Sequence, residues 1–148
     1  MTFLLGIVGS PAGGKSTVAK TLSDWGATWI NADAIARECL GLPEVIADLV
    51  DRFSDTILDA GGSVQRSELA KQVFGRDAAS RSALADLEAI IHPRVRAIIR
   101  EQIEAAAQAR SAVTLLDVPL LFESGWDQSC DSIWCIDASF EIRARRAE

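Results

Sequence analysis

GSPAGGKS, residues 9–16, follows directly on the apolar run FLLGIV at residues 3–8 and precedes a stretch with helical spacing. The octapeptide matches the pattern GxxxxGK[ST] in full. Its glycines let successive backbone N–H groups turn inward around an anion, while Lys15 adds a mobile positive charge and Ser16 a hydroxyl suited to Mg²⁺. The strand-like and helix-like flanks disfavour the alternative of a glycine-rich turn that binds nothing. The stretch therefore predicts a phosphate-binding loop between the first strand and first helix of an α/β fold.

The composition describes an ordinary globular protein. At 148 residues, with 49% hydrophobic and 24% charged residues, the chain suits one domain whose core needs neither disulfides nor metals. A net charge of −6 argues against nonspecific nucleic-acid binding, so no nucleic-acid partner is predicted. The one dense cationic cluster, Arg143, Arg145 and Arg146, is typical of a solvated helix face.

The cysteines and the N-terminal segment bear on the compartment. Cys39, Cys130 and Cys135 are odd in number and lack CxxC spacing, which disfavours a disulfide framework and a zinc site and favours a reducing cytoplasm. The apolar start is too short for a membrane span and lacks a basic region. We predict a cytoplasmic protein with no membrane partner.

Strand-like and helix-like segments alternate along the chain, which predicts a parallel sheet with flanking helices. The strands are expected at 3–8, 28–31, 113–118 and 132–137. The helices are expected at 15–24, 34–40, 44–53, 67–74, 78–91 and 94–109, with a last one beginning after Ser139. Gly26 can supply the left-handed residue that ends the first helix.

The connection between the second and third strands is far longer than a βαβ crossover requires. It divides the predicted single domain into a core at about 1–33 and 111–148 and a mostly helical insertion at about 34–110. Insertions of this kind on phosphoryl-transfer enzymes receive the second substrate and exclude water. We therefore predict a substrate-binding cap.

Two carboxylates follow predicted strands. Asp117 stands at the carboxyl end of the third strand, where it can hold Mg²⁺ beside a phosphate loop or can be a plain solvated carboxylate. Asp33 follows the second strand, where it can accept a hydroxyl proton during attack on a γ-phosphate or can cap a helix starting at Ala34. The spacing leaves these alternatives open.

His92 and the tryptophans have weaker signals. His92 precedes Pro93, a residue favoured at helix starts, so His92 is either a helix-boundary residue or a donor to a ligand phosphate. The four tryptophans follow no strand or helix period, which favours core or cleft-wall positions over a row of stacking rings. They are Trp25, Trp29, Trp126 and Trp134.

Several segments form an ordered set along nearly the whole chain. They are GSPAGGKST at 9–17, INAD at 30–33 with IAR at 35–37, Arg66 with Leu69, Ala70, Val73 and Phe74, IHPRV at 91–95, and DVPLLFE at 117–123. Together they resemble the dephospho-coenzyme A kinase family. Its members use ATP to phosphorylate the ribose 3′-hydroxyl of dephospho-coenzyme A, the last step of coenzyme A synthesis.

The resemblance implies a P-loop NTPase-like fold and a role for each matching residue. Asp33 is the implied catalytic base, and Lys15 is implied to assist catalysis. Residues implied to bind ATP are Gly9, Ala12, Gly13, Gly14, Lys15, Ser16, Thr17 and Arg146, with Mg²⁺ on Ser16 and Asp117. Residues implied to bind dephospho-coenzyme A are Asp33, Arg37, His92, Pro119, Leu120, Leu121, Phe122 and Glu123.

The chain also departs from the family pattern. Asn31 replaces a usual aspartate two residues before Asp33, which removes a charge but keeps a hydrogen-bonding group. Pro11, Ala12 and Gln65 also differ from the commoner residues. Family members continue past the position of Glu148, so we expect a C-terminally incomplete domain that binds ATP weakly and turns over poorly.

Other functions remain open. Another P-loop nucleoside or nucleotide kinase would share the loop and the cleft carboxylate, and a catalytically impaired nucleotide-binding remnant would keep the loop alone. A GTP switch is suggested by DAGG at 59–62, which fits DxxG, but no Asn-Lys-x-Asp guanine-binding motif follows.

Overall fold

The computed structural model describes residues 1–147 as an α/β fold. The strands are β1 (Phe3–Gly9), β2 (Thr28–Asn31), β3 (Val113–Asp117) and β4 (Ser132–Ile136). The helices are α1 (Lys15–Asp24), α2 (Ala32–Cys39), α3 (Pro43–Phe53), α4 (Arg66–Val73), α5 (Ala78–Gln108) and α6 (Phe140–Ala147). Short 3₁₀ turns cover Asp55–Ile57 and Trp126–Ser129.

All four strands are parallel and lie in the order β2-β3-β1-β4. Their carboxyl ends therefore meet at one edge of the sheet, the edge where open α/β sheets bind ligands. Asn31 is in register with Asp117, and Gly9 with Ile136, at this edge. The predicted α/β fold class with a parallel sheet and flanking helices is confirmed.

The described chain divides into two compact units. The first contains Met1–Asp33 and the chain from Ile99 onward, and the second contains Ala34–Ile98. The sequence predicts the second boundary near residue 110, after the last helix of the insertion. The division between Ile98 and Ile99 instead falls inside α5, which runs without a break from Ala78 to Gln108, so no change in the sequence pattern marks it.

In the first unit, α1 covers one face of the sheet. Ala19 on α1 is buried against Leu5 and Ile7 of β1 and Leu115 of β3. The helix ends at Asp24, and Gly26 supplies the predicted left-handed residue after it, with a φ of 101° that suits a residue without a side chain. The N–H of Gly26 donates to Ser23 O and that of Ala27 to Leu22 O, the pair of bonds that closes a Schellman motif. This stop turns the chain directly into β2.

The second unit has its own apolar core, formed by one face of each of three helices and the turn after α3. Its buried members are Val45, Leu49, Phe53, Ile57, Leu69, Val73 and Ala83. Arg52 Nε donates to Asp86 Oδ2 at 2.7 Å, and its guanidinium lies 4.9 Å from the centre of the Phe53 ring. The unit is therefore held by contacts of its own, and its role as a cap stays a prediction.

The two helices predicted at 78–91 and 94–109 are one helix, α5. Pro93 lies inside it, so His92 is not a helix-boundary residue as one interpretation had it. Proline lacks the N–H that would bond to the carbonyl of Ala89, and this normally breaks a helix. Both Ala89 and Pro93 are exposed, so water can satisfy the freed carbonyl and the helix continues.

We expect Pro93→Ala to stabilise the chain by about 1–2 kcal/mol. Alanine restores the missing hydrogen bond, worth up to ~3 kcal/mol relative to proline in a helix interior, but gives the unfolded chain more freedom. Urea unfolding followed by circular dichroism measures the change. Pro43→Ala is the matched control, because Pro43 stands at the start of α3, where proline is favourable. An equal gain from both variants would contradict this explanation.

Among residues 1–147, no helix combines the length and apolar character needed to cross a membrane.

Candidate active site

The loop between β1 and α1 surrounds an open cavity of about 590 Å³. Residues 9–17 and Arg146 line it. The loop turns through two left-handed residues, Ala12 at φ 58° and Gly14 at φ 101°, and the N–H of Gly13 donates to Ser10 O. Gly14 then precedes the first turn of α1, where backbone N–H groups are unpaired within the helix. Such a turn and helix start form a suitable binding site for a phosphate group.

Two glycines of the loop, Gly9 and Gly13, lie so close to neighbouring backbone atoms that no side chain fits at either position. A Cβ added to Gly13 would lie 2.9 Å from Ser10 O and 3.1 Å from Ile136 O. A Cβ on Gly9 would overlap the same Ile136 carbonyl. These are backbone atoms that cannot move aside, so the loop keeps its shape only with glycine at both positions.

Lys15, at the start of α1, forms an ion pair with Asp117 at the end of β3. Lys15 Nζ lies 2.9 Å from Asp117 Oδ1. The other oxygen, Oδ2, accepts a hydrogen bond of 3.3 Å from Trp29 Nε1. Asp117 is only 7% exposed, so the interpretation of this residue as a plain solvated carboxylate is wrong. A buried carboxylate of this kind needs both partners.

Asn31 and Asp33 stand where β2 passes into α2. The helix begins at Ala32, and Asn31 Oδ1 accepts the N–H of Asp33 at 3.1 Å. Asn31 is therefore the N-cap, and the interpretation of Asp33 as the cap of a helix starting at Ala34 is wrong. Asp33 lies exposed in the first turn of α2, two residues after the register partner of Asp117. Its carboxylate is free of the capping task, which leaves it available to a ligand.

The last turn of α6 approaches the phosphate loop. Arg146 Nη1 donates to Ala12 O at 3.1 Å, so the predicted nucleotide-binding arginine lies at the cavity. Arg143 Nε donates to Ala138 O at 3.0 Å and lies 3.7 Å from Asp137 Oδ1. The arginine cluster is thus not simply a solvated helix face, although Arg145 and Arg146 are both exposed.

Asp137 connects β4 to the same loop. The backbone N–H of Ala138 and the Ser10 hydroxyl hydrogen-bond to the Asp137 carboxyl and lower its pKa below the usual value, with a further contribution from Arg143. Stability from this shift is present above the usual aspartate pKa and is lost as the pH falls through the lowered value. At neutral pH the carboxylate is charged and ties Ser10 to the strand beside it.

The segment after Asp117 is only partly available to a substrate. Pro119, Leu120, Phe122 and Glu123 are exposed, and Leu120 adopts a left-handed φ of 53°. Leu121 is 1% exposed, and a Cβ on Gly6 would lie 3.1 Å from its Cδ2. This burial corrects the predicted role of Leu121 as a pocket residue, because a buried side chain supports the segment and does not face a ligand.

Two predicted substrate-binding residues belong to the second unit. Arg37 is exposed on α2, and His92 is exposed within α5. Their roles stay predictions.

The tryptophans do not form one class. Trp126 is 5% exposed, as expected for a core residue, whereas Trp25 is 79% and Trp134 47% exposed, so these two are not core residues. Trp29 is half-buried beside Asp117, and sequence reasoning did not identify it as a site residue. Its only available signal was its place on β2, two residues before Asn31.

Comparison with known proteins gives a consistent result. The family model for dephospho-CoA kinase, CoaE, matches residues 3–147. The chain is 45% identical over 138 residues to the dephospho-CoA kinase of Rhodopirellula baltica, covering 93% of this chain and 64% of the relative. It is 43% identical over 144 residues to that of Deinococcus radiodurans, covering 97% and 66%. The chain thus spans less than two thirds of the length of these relatives.

Solved structures agree in fold. The crystal structure of TT1252 from Thermus thermophilus superposes with a TM-score of 0.79 at 33% identity, covering 99% of this chain and 71% of that one. The dephospho-CoA kinase from Campylobacter jejuni superposes with a TM-score of 0.70 at 22% identity, covering 99% and 94%, a likeness in fold alone.

Proposed function

The chain belongs to the dephospho-CoA kinase family, and on this basis we propose that it transfers the γ-phosphoryl group of ATP to the ribose 3′-hydroxyl of dephospho-coenzyme A. The observation that carries the proposal is the phosphate loop with Lys15 paired to the buried Asp117. It is supported by the family match over nearly the whole chain.

ATP is the proposed phosphate donor. The glycine-rich turn and the start of α1 offer backbone N–H groups to the phosphates, and Lys15 and Arg146 add positive charge at the same cavity. Lys15 would exchange its contact with Asp117 for one with the phosphates. Charge stabilisation of this kind supplies most of what a protein contributes to phosphoryl transfer.

The residues present fit Mg²⁺. Mg²⁺ is usually held by one or two carboxylates, a hydroxyl and the substrate's own phosphates, which the Asp117 carboxylate and the Ser16 hydroxyl match. Within residues 1–147 no group of three or more His, Cys, Asp or Glu side chains forms a separate metal cage. When bound, the ion would neutralise charge on the phosphate oxygens.

Asp33 is the proposed catalytic base. It is exposed at the carboxyl edge of the sheet, and the hydrogen bond to Asn31 fixes its backbone. A carboxylate there can accept the proton of the attacking 3′-hydroxyl as the oxygen bonds to the γ-phosphorus and ADP leaves. In this step the 3′-hydroxyl oxygen loses its proton to Asp33 and gains the γ-phosphoryl group.

The acceptor is proposed to bind through the remaining family positions. These are Arg37 and His92 in the second unit and the exposed members of residues 119–123. The three cysteines form no disulfide, which together with the proposed use of ATP favours a cytoplasmic location.

The proposal is tested by measuring ADP release with a panel of acceptors. We expect release with dephospho-coenzyme A and ATP, with a product that has gained one phosphoryl group, and little release with adenosine or AMP. Faster release with a nucleoside or nucleotide acceptor would favour the other kinase class. Nucleotide binding with no transfer to any acceptor would favour the impaired remnant, and equal affinity for GTP and ATP would revive the switch.

A further inference from the structure

We propose that Trp29 is a positioning residue that holds the Asp117 carboxylate in the orientation required at the nucleotide site. The inference rests on the nucleotide-binding part of the proposed function. It adds a residue that the phosphate-loop pattern does not contain.

The two oxygens of Asp117 have separate partners. Oδ1 lies 2.9 Å from Lys15 Nζ, while Oδ2 accepts the Trp29 Nε1–H at 3.3 Å. An indole has a single N–H donor, so it occupies one carboxylate oxygen and leaves the other one for the cation. The carboxylate plane is thereby fixed from both sides.

The position of Trp29 in the sheet explains why its indole N–H can contact Asp117. Trp29 is in register with Leu115, and Asn31 with Asp117, so Trp29 and Asp117 are diagonal neighbours on adjacent strands. A diagonal pair on one face is within reach of an aromatic side chain. Because Trp29 also packs against the apolar cluster beneath α1, its ring is held by the core of the first unit and its donor is preorganised.

The second hydrogen bond matters most when Lys15 turns to a phosphate. Asp117 would then exchange its ion pair with Lys15 for a contact with the proposed Mg²⁺ while remaining buried, so the partner of Oδ1 changes. Trp29 does not contact the nucleotide in this scheme and can keep its bond. It therefore keeps the Asp117 carboxylate oriented in the nucleotide-bound state.

The hydrogen bond is tested on the intact chain by NMR of the indole N–H groups in ¹⁵N-tryptophan-labelled protein. The Trp29 resonance is identified by its loss in Trp29→Phe. We expect Asp117→Asn to shift it and Asp24→Asn, a change at an exposed carboxylate paired with Lys20, to leave it in place. A Trp29 resonance that does not respond to Asp117→Asn overturns the proposal, and this measurement needs no activity.

The positioning role is tested by nucleotide affinity. A hydrogen bond to a charged group at the long end of the distance range is worth roughly a tenfold change in an equilibrium constant. We expect Trp29→Phe to weaken Mg–ATP binding by about this factor, and Trp25→Phe, the same substitution at an exposed site, to change it little. Equal affinities in the two variants overturn the role.

The acceptor assay separates this inference from the proposed function. If both tests succeed and dephospho-coenzyme A is still not phosphorylated, the acceptor assignment fails while the Trp29 role stands. If transfer occurs and Trp29→Phe has the parent affinity and rate, the proposed function stands and the Trp29 role fails.

Discussion

Lys15→Ala is expected to lower kcat/KM for phosphoryl transfer by roughly 10³-fold or more. A single preorganised donor to developing charge is commonly worth 10²–10³ in rate, and Lys15 also contributes to ground-state binding of the phosphates. Steady-state kinetics with ATP and dephospho-coenzyme A measures the loss. Lys20→Ala is the matched control, because Lys20 lies on the same helix in an exposed pair with Asp24 and should change activity little.

The same substitution has a structural effect that can be separated from the catalytic one. Without Lys15, Asp117 is left buried with only Trp29 as a partner, so Lys15→Ala should destabilise the chain by about 1–3 kcal/mol. The double variant Lys15→Ala, Asp117→Asn should regain part of this stability because the unpaired charge is gone, yet stay inactive. Activity that returns with stability would show that Lys15 acts only through folding.

Local rules accounted for most of the elements of the fold. The first helix runs from Lys15 to Asp24 and β2 from Thr28 to Asn31, both as predicted, because glycines stand on either side of the helix and Gly26 turns the chain into the strand. The prediction failed at Pro93, where a strong local rule met an exposed helix face on which water can replace the missing donor. Whether a proline ends a helix depends on that exposure, which spacing alone does not reveal.

The site residues that belong to a short sequence motif could be predicted. The loop glycines and Lys15 are of this kind, because a phosphate-binding loop needs glycines where the backbone turns and a lysine to contact the phosphates. Trp29 is not, since an indole next to a carboxylate depends on which strands become neighbours. Asn31 shows the same limit: its capping of α2 followed from a helix that begins two residues earlier than expected.

Leu121 shows a second limit of prediction from sequence, which is that a motif does not reveal which of its members are buried. Residues 117–123 include both buried and exposed members, and the backbone turns through a left-handed residue at Leu120. A family motif names all of them together. The structure separates Leu121, which supports the turn, from the neighbours that a ligand can reach.

Asp33→Asn is expected to lower the rate of the chemical step by about 10²–10⁴-fold while leaving ATP affinity nearly unchanged. A general base contributes a factor of this size, and an amide of the same shape cannot accept the proton. The fold should tolerate the change, because the backbone N–H of residue 33 keeps its bond to Asn31 and the side chain is exposed. The loss of a favourable charge in the first turn of α2 should cost no more than about 1 kcal/mol.

Single-turnover kinetics with saturating ATP isolates this step from product release, and a direct binding titration gives the ATP affinity. Asp48→Asn, an exposed carboxylate on α3, is the matched control and should behave like the parent chain. Because an asparagine at position 33 can still accept a hydrogen bond from the 3′-hydroxyl, acceptor binding should survive as well, and the defect should appear in kcat and not in KM. A variant with weakened ATP binding and an unchanged single-turnover rate would instead place Asp33 on the nucleotide side, and the proton would then need another acceptor.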